Sequence, residues 1–317
     1  MTRTFLYLGK KLLSALAALV VISLLTFLVF QILPGNPALI ILGVDADPLQ
    51  VEALEQLMGI DKPMLQRYVE WLGGLVGGDL GLSLRYRVPV TDLIASALPV
   101  TVTLTLLSLL ITIIIVVPVS VYLATHNNTI AATFLSALTQ LGVSVPSFWL
   151  AIMLILVFSV MLHWFPSGEV IPFSQSVTGA LRSLVLPAVA ISIGTTAVVI
   201  RYLKSTILDE MHMDYVRTAR SKGLSRNTVL YRHVLKNALL PAITILGMIT
   251  VDVLGGSIIV ENVFNLPGIG RLITSGVGNR DFPMVQALVF YLAATVVVIN
   301  FLVDLLYTAI DPRIRLP

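Results

Sequence analysis

Two groups of polar residues stand out in this 317-residue chain, because nearly everything around them is apolar. The first is a set of carboxylates inside hydrophobic stretches. Asp252 lies midway along a Gly-containing run beside Gly255 and Gly256, Glu261 stands near its end, and Asp304 follows Asn300 in the last run. An ionisable residue within a membrane span costs about 2.5–3.5 kcal/mol on insertion scales, so it faces a cavity, a pathway or a polar partner. The second group is cationic: "DYVRTARSKGLSRNTVLYRHVLKNALLP", residues 214–241, holds six Lys or Arg.

Catalytic patterns are missing where they would be needed. No G-x-x-x-x-G-K-[ST] loop occurs, and the one Lys204-Ser205 pair lacks the glycines, so the chain cannot itself cradle and hydrolyse ATP. There is no H-E-x-x-H, and His126, His163, His212 and His233 form no i, i+4 pair. His163, beside Trp164 and Phe165, reads as an interfacial residue rather than a metal ligand. Without Cys, neither a disulfide framework nor a thiolate metal site is possible. Gly256-Ser257 would suit an intramembrane serine protease, but no His sits at comparable depth in another span. No catalytic residue, metal or cofactor is expected on this chain.

The elements that must position these residues are membrane helices. Hydrophobic residues make up 57% and charged ones 12%, about half the charge of a soluble domain. A bilayer core of about 30 Å needs roughly 20 apolar helical residues. Six stretches qualify: 12–33, 99–124, 133–161, 184–203, 241–262 and 284–309. The first is too long for a signal-peptide core and lacks an A-x-A exit, so it reads as an uncleaved span. "LGVSVPSFWLA" is expected to break or kink the third near Pro146. With the N-terminus inside, thirteen of the twenty Lys and Arg fall in cytoplasmic segments, which places both termini inside. Residues 34–98 then form an external subdomain, with Leu65, Tyr68, Val69 and Leu72 at helical spacing. Residues 99–317 form the core, with a cytoplasmic loop at 204–240.

Within that loop, Asp214 can cap a short helix ending at Lys222, and Gly223 fits the left-handed position that closes it. Ser225 can cap a second helix running until Pro241 opens the fifth span. Val229, Leu230, His233, Val234 and Asn237 share one face of it. Simple topological retention needs the charge but neither the caps nor the hinge. A DNA-binding helix–turn–helix is tethered too closely at both ends. The expectation is a docking element for a cytoplasmic partner.

The loop "DYVRTARSKGLS…HVLKNALLP" resembles the signature loop of ABC-importer permeases. "LPGNPA", "GDLGLS", "GVSVPSFWLA", "GGSIIVENVFNLPGIGRL", "NRDFPMVQ" and "DPRIR" resemble the branch that imports peptides and nickel. One departure is Arg217-Thr218-Ala219, where the wider superfamily begins its loop with Glu-Ala-Ala. The resemblance implies an all-α, six-span, type I permease fold with both termini inside, in the bacterial inner membrane. Its partners would be a second homologous permease subunit in a heterodimer, two ATPase subunits binding ATP and Mg, and an external substrate-binding protein, with no nucleic acid. The loop would be the coupling helix, its residues Asp214, Tyr215, Arg217, Ala219, Lys222, Gly223, Leu224, His233, Asn237 and Pro241. Gly223 would set the angle of its two pieces, and Ala219 would let the partner approach closely. Asp252, Gly255, Gly256 and Glu261 would line the translocation path. Alternatively, Asp252 bonds the hydroxyls of "TVTLTLLS" and Glu261 caps an outer gate. Peptides are the expected substrate, nickel or a metal chelate the alternative, and a secondary transporter or channel the rival of another class.

Overall fold

The computed structural model describes residues 2–32, 37–43, 45–166, 168 and 170–310. Residues 33–36 of "LPGNPA" and all of "DPRIR" therefore lie outside the described residues. The described chain is helical, with a single isolated bridge between Leu82 and Pro89. In chain order the helices are α1 (Thr2–Ile32), α2 (Pro37–Leu42), α3 (Pro48–Met58), α4 (Met64–Gly77), α5 (Val90–Thr125) and α6 (Ile130–Ser144). They continue as α7 (Ser147–Leu154), α8 (Val177–Met211), α9 (Asp214–Ser221), α10 (Arg226–Thr228), α11 (Leu235–Val263), α12 (Ile269–Gly278) and α13 (Phe282–Ile310). π-wound turns, Ile155–Met161 and Val229–Val234, follow α7 and α10.

Four helical segments are long and apolar enough to cross a bilayer singly: Gly9–Ile32, Val90–Thr125, Val177–Met211 and Phe282–Leu305. The other two expected spans are bent pairs. Ile130–Ser144 meets Ser147–Met161 at 105°, and Arg226–Ala242 meets Gly247–Val263 at 52°. The count is therefore four, or six if each bent pair crosses. Both bends have a proline cause. Pro146 drives Val145 out of the helical region (φ −85°, ψ 122°) and ends α6. Pro241 lies inside α11 rather than opening it, which corrects the sequence expectation; its missing N–H weakens the ladder where the helix bends.

The chain folds as two compact units. The first joins residues 1–99 with 268–298, so part of the sequence expected in the core belongs with the N-terminal third. Its centre is Val90, Ile94, Ala97, Ile269, Met284, Ala287 and Leu288. Here α4 is held by aromatic contacts: Phe27 of α1 meets Tyr68 edge-on at 5.4 Å, and Trp71 meets Phe290 at 5.9 Å. The Tyr68 hydroxyl reaches Ser23 at 2.9 Å. The helical spacing of Leu65, Tyr68, Val69 and Leu72 thus falls on a helix, in which Tyr68 and Trp71 are half-buried and Leu65 and Val69 exposed.

The second unit, residues 100–267 and 299–317, is built around α8, which packs on α6, α7 and α11. Hydroxyls join α5 to α8, with Thr196 donating to Thr112 at 3.2 Å and Ser120 to the Ile200 carbonyl at 3.3 Å. Such polar bridges and small-residue crossings are how helices associate without a hydrophobic drive. Gly142 supplies the close crossing of α6 on α8: a Cβ there would lie 3.2 Å from that of Ala197.

Candidate functional site

The basic segment is a two-piece hairpin laid against its own unit. Helix α9 turns Val216 and Ala219 inward and shows Asp214, Arg217, Thr218 and Ser221 at i, i+3, i+4 and i+7. Asp214 is the first helical residue, not the cap: the cap position is Met213, and no side chain caps it. The Asp214 carboxylate instead lies 3.6 Å from Arg217. Ala219 is only 7% exposed and belongs to the unit's hydrophobic core. The close approach its small side chain permits is, in this structure, to its own unit's core.

Gly223 is left-handed at φ 80°. Its N–H donates to the Arg220 carbonyl at 2.9 Å and that of Leu224 to Ala219 at 3.4 Å, closing α9. The Ser225 hydroxyl then accepts from the Thr228 N–H at 3.3 Å, capping the second piece as expected. A π-wound turn carries this piece into α11. Val229, Leu230 and Val234 are buried, His233 and Asn237 half-buried, and Arg232 and Lys236 exposed. Arg226 is tied down, donating to the Thr125 carbonyl at the end of α5 at 3.3 Å. The outward surface thus keeps Arg217, Arg220, Lys222, Arg232 and Lys236, with Leu224 as an exposed apolar point.

Sequence reasoning missed what fixes α9. The Tyr215 hydroxyl donates to Glu210 Oε2 at 2.5 Å and is also hydrogen-bonded to Asn237. One phenol therefore joins the end of α8, α9 and α11. Burial, and then the bond to Glu210, pushes that phenol up from 10 to about 12. The folded group holds its proton more tightly than the free one. Its contribution is therefore complete below pH 10 and fades as pH rises towards 12. Tyr215→Phe is expected to cost about 1.5 kcal/mol at neutral pH, the size of a hydrogen bond to a charged acceptor. Amide exchange across α9 would then quicken roughly tenfold, while α5 is unchanged.

The two carboxylates of α11 separate. They are nine residues apart, which at 100° per residue puts them on opposite faces. Asp252 is exposed and lines a cavity of about 260 Å³ with Gly256, Gly194, Thr195 and Ser147. Gly255 is exposed one position away but is not among the lining residues. Glu261 is fully buried and accepts from the Thr101 hydroxyl at 2.7 Å. Of the "TVTLTLLS" hydroxyls that the alternative reading offered to Asp252, that of Thr101 is bonded to Glu261, and those of Thr105 and Ser108 to carbonyls of their own helix.

A second buried carboxylate organises the first unit. Asp281, 1% exposed, accepts from the Ser83 hydroxyl at 2.5 Å and from the N–H groups of Leu84, Arg85 and Met284 at 3.1–3.3 Å. The last residue of "GDLGLS" and the Asp of "NRDFPMVQ" are thus one structural knot across 198 positions.

Comparison with known proteins fixes the class. Residues 116–316 match the family described as binding-protein-dependent transport system inner membrane component, and residues 4–105 match the N-terminal region of such components. The chain belongs to this family of ABC-importer permeases and is an inner-membrane protein with several apolar helices. Among its relatives, a protein of Brucella abortus is 42% identical over 96% of this chain and 98% of its own length. It carries the provisional name of a peptide transport system permease protein. The oligopeptide transport system permease protein AppB of Bacillus subtilis is 35% identical, covering 98% of this chain and 99% of its own. The glutathione transport system permease protein GsiC of Escherichia coli is 37% identical over 98% of both. The solved structure of the MetNI methionine ABC transporter, inward facing, aligns with TM-score 0.56 at 19% identity. The match covers 69% of this chain and 96% of that one, a likeness of fold.

Proposed function

We propose that this chain is one permease subunit of an ATP-driven importer of di- and oligopeptides. It pairs with a second, related permease to form the translocation pore. Two ATPase subunits on the cytoplasmic side supply the work, and an external binding protein delivers the cargo. Both bent helix pairs cross the membrane in this reading, giving six spans with both termini inside. ATP and Mg are bound by the ATPase subunits, since this sequence has no phosphate loop of its own. The peptide assignment draws on the names of the relatives at 35–42% identity over nearly the whole chain.

The single observation that carries the mechanism is the basic hairpin. A short helix can transmit nucleotide-driven motion only if its ends are fixed, and α9 is fixed by Tyr215 at one end and Gly223 at the other. Its polar face is left outward for a separate protein. The path for cargo runs past Asp252 and Gly256, where α11 opens to a cavity.

Reconstitution tests this reading. Vesicles holding this permease with its partner permease, the ATPase subunits and the binding protein should accumulate labelled trialanine only with ATP inside. Accumulation without ATP, by this chain alone, would instead identify a secondary transporter.

A further inference from the structure

The cavity beside α11 has one charged wall residue. Asp252 supplies it, Ser147 and Thr195 add hydroxyls, and apolar side chains such as Val143, Ile191 and Ile249 form most of the remainder. No hydrogen bond or ion pair reaches Asp252 among the described residues, whereas Glu261 is satisfied by Thr101. A carboxylate retained in an apolar helix needs a partner, and the side of Asp252 that is open is the cavity.

The wall chemistry selects among ligands. A calcium ion takes six to eight oxygen ligands and a structural zinc four protein ligands, more than one carboxylate and two hydroxyls provide. A primary ammonium has three N–H donors and no acceptor, which one carboxylate and two hydroxyl oxygens match. Thr195 donates its proton to the Ile191 and Ser192 carbonyls of its own helix, at 3.3 and 3.0 Å, and accepts from the Thr112 hydroxyl at 3.3 Å, which leaves one lone pair of its oxygen to accept from a ligand. The volume, about 260 Å³, is below the roughly 300–1,000 Å³ of ordinary ligand cavities. It takes one end of a peptide rather than a whole one.

We propose that Asp252, with Ser147 and Thr195, forms a passage subsite for a protonated primary amine of the transported peptide. The assignment rests on the peptide-permease reading above. One carboxylate holds the amine weakly enough to release it, as a site on a conduction path must.

The test uses the assembled transporter in nanodiscs without the binding protein, so that selection by that protein does not enter. Saturation-transfer NMR would measure binding of trialanine, N-acetyl-trialanine and N-acetyl-alanyl-lysyl-alanine. Trialanine is expected to bind about tenfold more tightly than its acetylated form. Asp252→Asn should abolish that preference while leaving the acetylated peptide's affinity unchanged, and Asp252→Glu should restore part of it. The lysyl peptide separates the sources: tight binding means any primary amine is accepted, and weak binding means the α-amine alone. Equal binding of trialanine and its acetylated form by the wild type would overturn the subsite. So would an equal loss of both in Asp252→Asn, or no binding of any peptide. ATP-driven trialanine uptake by the wild type in sealed vesicles, with the binding protein present, separates the two levels. Uptake without amine preference removes only the subsite, while absent uptake removes the peptide reading itself.

Discussion

Gly223→Val is expected to leave ATP hydrolysis running while trialanine uptake falls at least tenfold. The residue sits at φ 80°, a conformation that costs an L-residue about 1–2 kcal/mol and a β-branched one most. Nothing in the chain lies within 4 Å of where its Cβ would stand, so the substitution meets strain rather than a clash. A penalty of that size is too small to unfold a membrane protein. It is enough to rotate α9 against the segment that begins at Ser225, and the outward face of α9 turns with it. The loss should follow the conformational preference. Gly223→Asn, which tolerates the left-handed region best, should be mildest, Gly223→Asp intermediate, and Gly223→Val most severe. Normal uptake in Gly223→Val would mean that the angle between the two pieces does not matter. Measuring hydrolysis and uptake on the same vesicles distinguishes uncoupling from loss of assembly.

Asp281→Ala should destabilise the first unit by about 3 kcal/mol or more. Its carboxylate serves four donors, Ser83 Oγ and the N–H groups of Leu84, Arg85 and Met284. Each buried donor left unpaired costs about 1–3 kcal/mol, and a water entering the vacated space offsets part of the total. The Ser83 hydroxyl also accepts from the Tyr86 N–H at 3.0 Å, so the turn through Arg87, at φ 56°, depends on the same knot. Protease cleavage within residues 78–89 should therefore rise sharply in Asp281→Ala, with a lower melting temperature. Asp281→Asn keeps an acceptor for two of the donors and should fall between. An Asp281→Ala protein as protease-resistant as the wild type would show that the knot holds nothing in place.

The helices that were readable from sequence are those whose apolar runs exceed the bilayer and contain no breaking proline at a critical place. α1 and α13 are of this kind, while α5 carries Pro99 and Pro118, and α8 Pro187, without a break. The third stretch was legible in its bend as well, because Pro146 is a local signal, whereas the fifth was legible as apolar but not in shape. Composition gives the apolar length, while Pro146 and Pro241 decide the bend. In the basic segment, Gly223 and Ser225 could be read because their roles are local, a left-handed closure and a hydroxyl cap. Asp214 and Ala219 could not, because whether a residue caps, pairs or packs inward depends on what lies beside the helix. The Asp281–Ser83 knot joins motifs 198 residues apart, and no local pattern announces it. The division between Asp252 and Glu261 was legible, since nine helical residues amount to half a turn beyond two, and only the angular step had to be applied.

In the proposed function the hairpin faces the cytoplasm and is gripped there by the ATPase subunits. The chain contains no Cys, so a single Lys222→Cys substitution gives one thiol on this subunit. In sealed right-side-out vesicles that thiol should resist an impermeant maleimide until the membrane is opened. In the assembled complex, a short bifunctional reagent should cross-link it to an ATPase subunit, with a yield that changes when nucleotide binds. Labelling from outside in intact vesicles, or a cross-link yield no higher than from a Cys in place of the exposed Leu49, which the proposed topology puts outside, would contradict it.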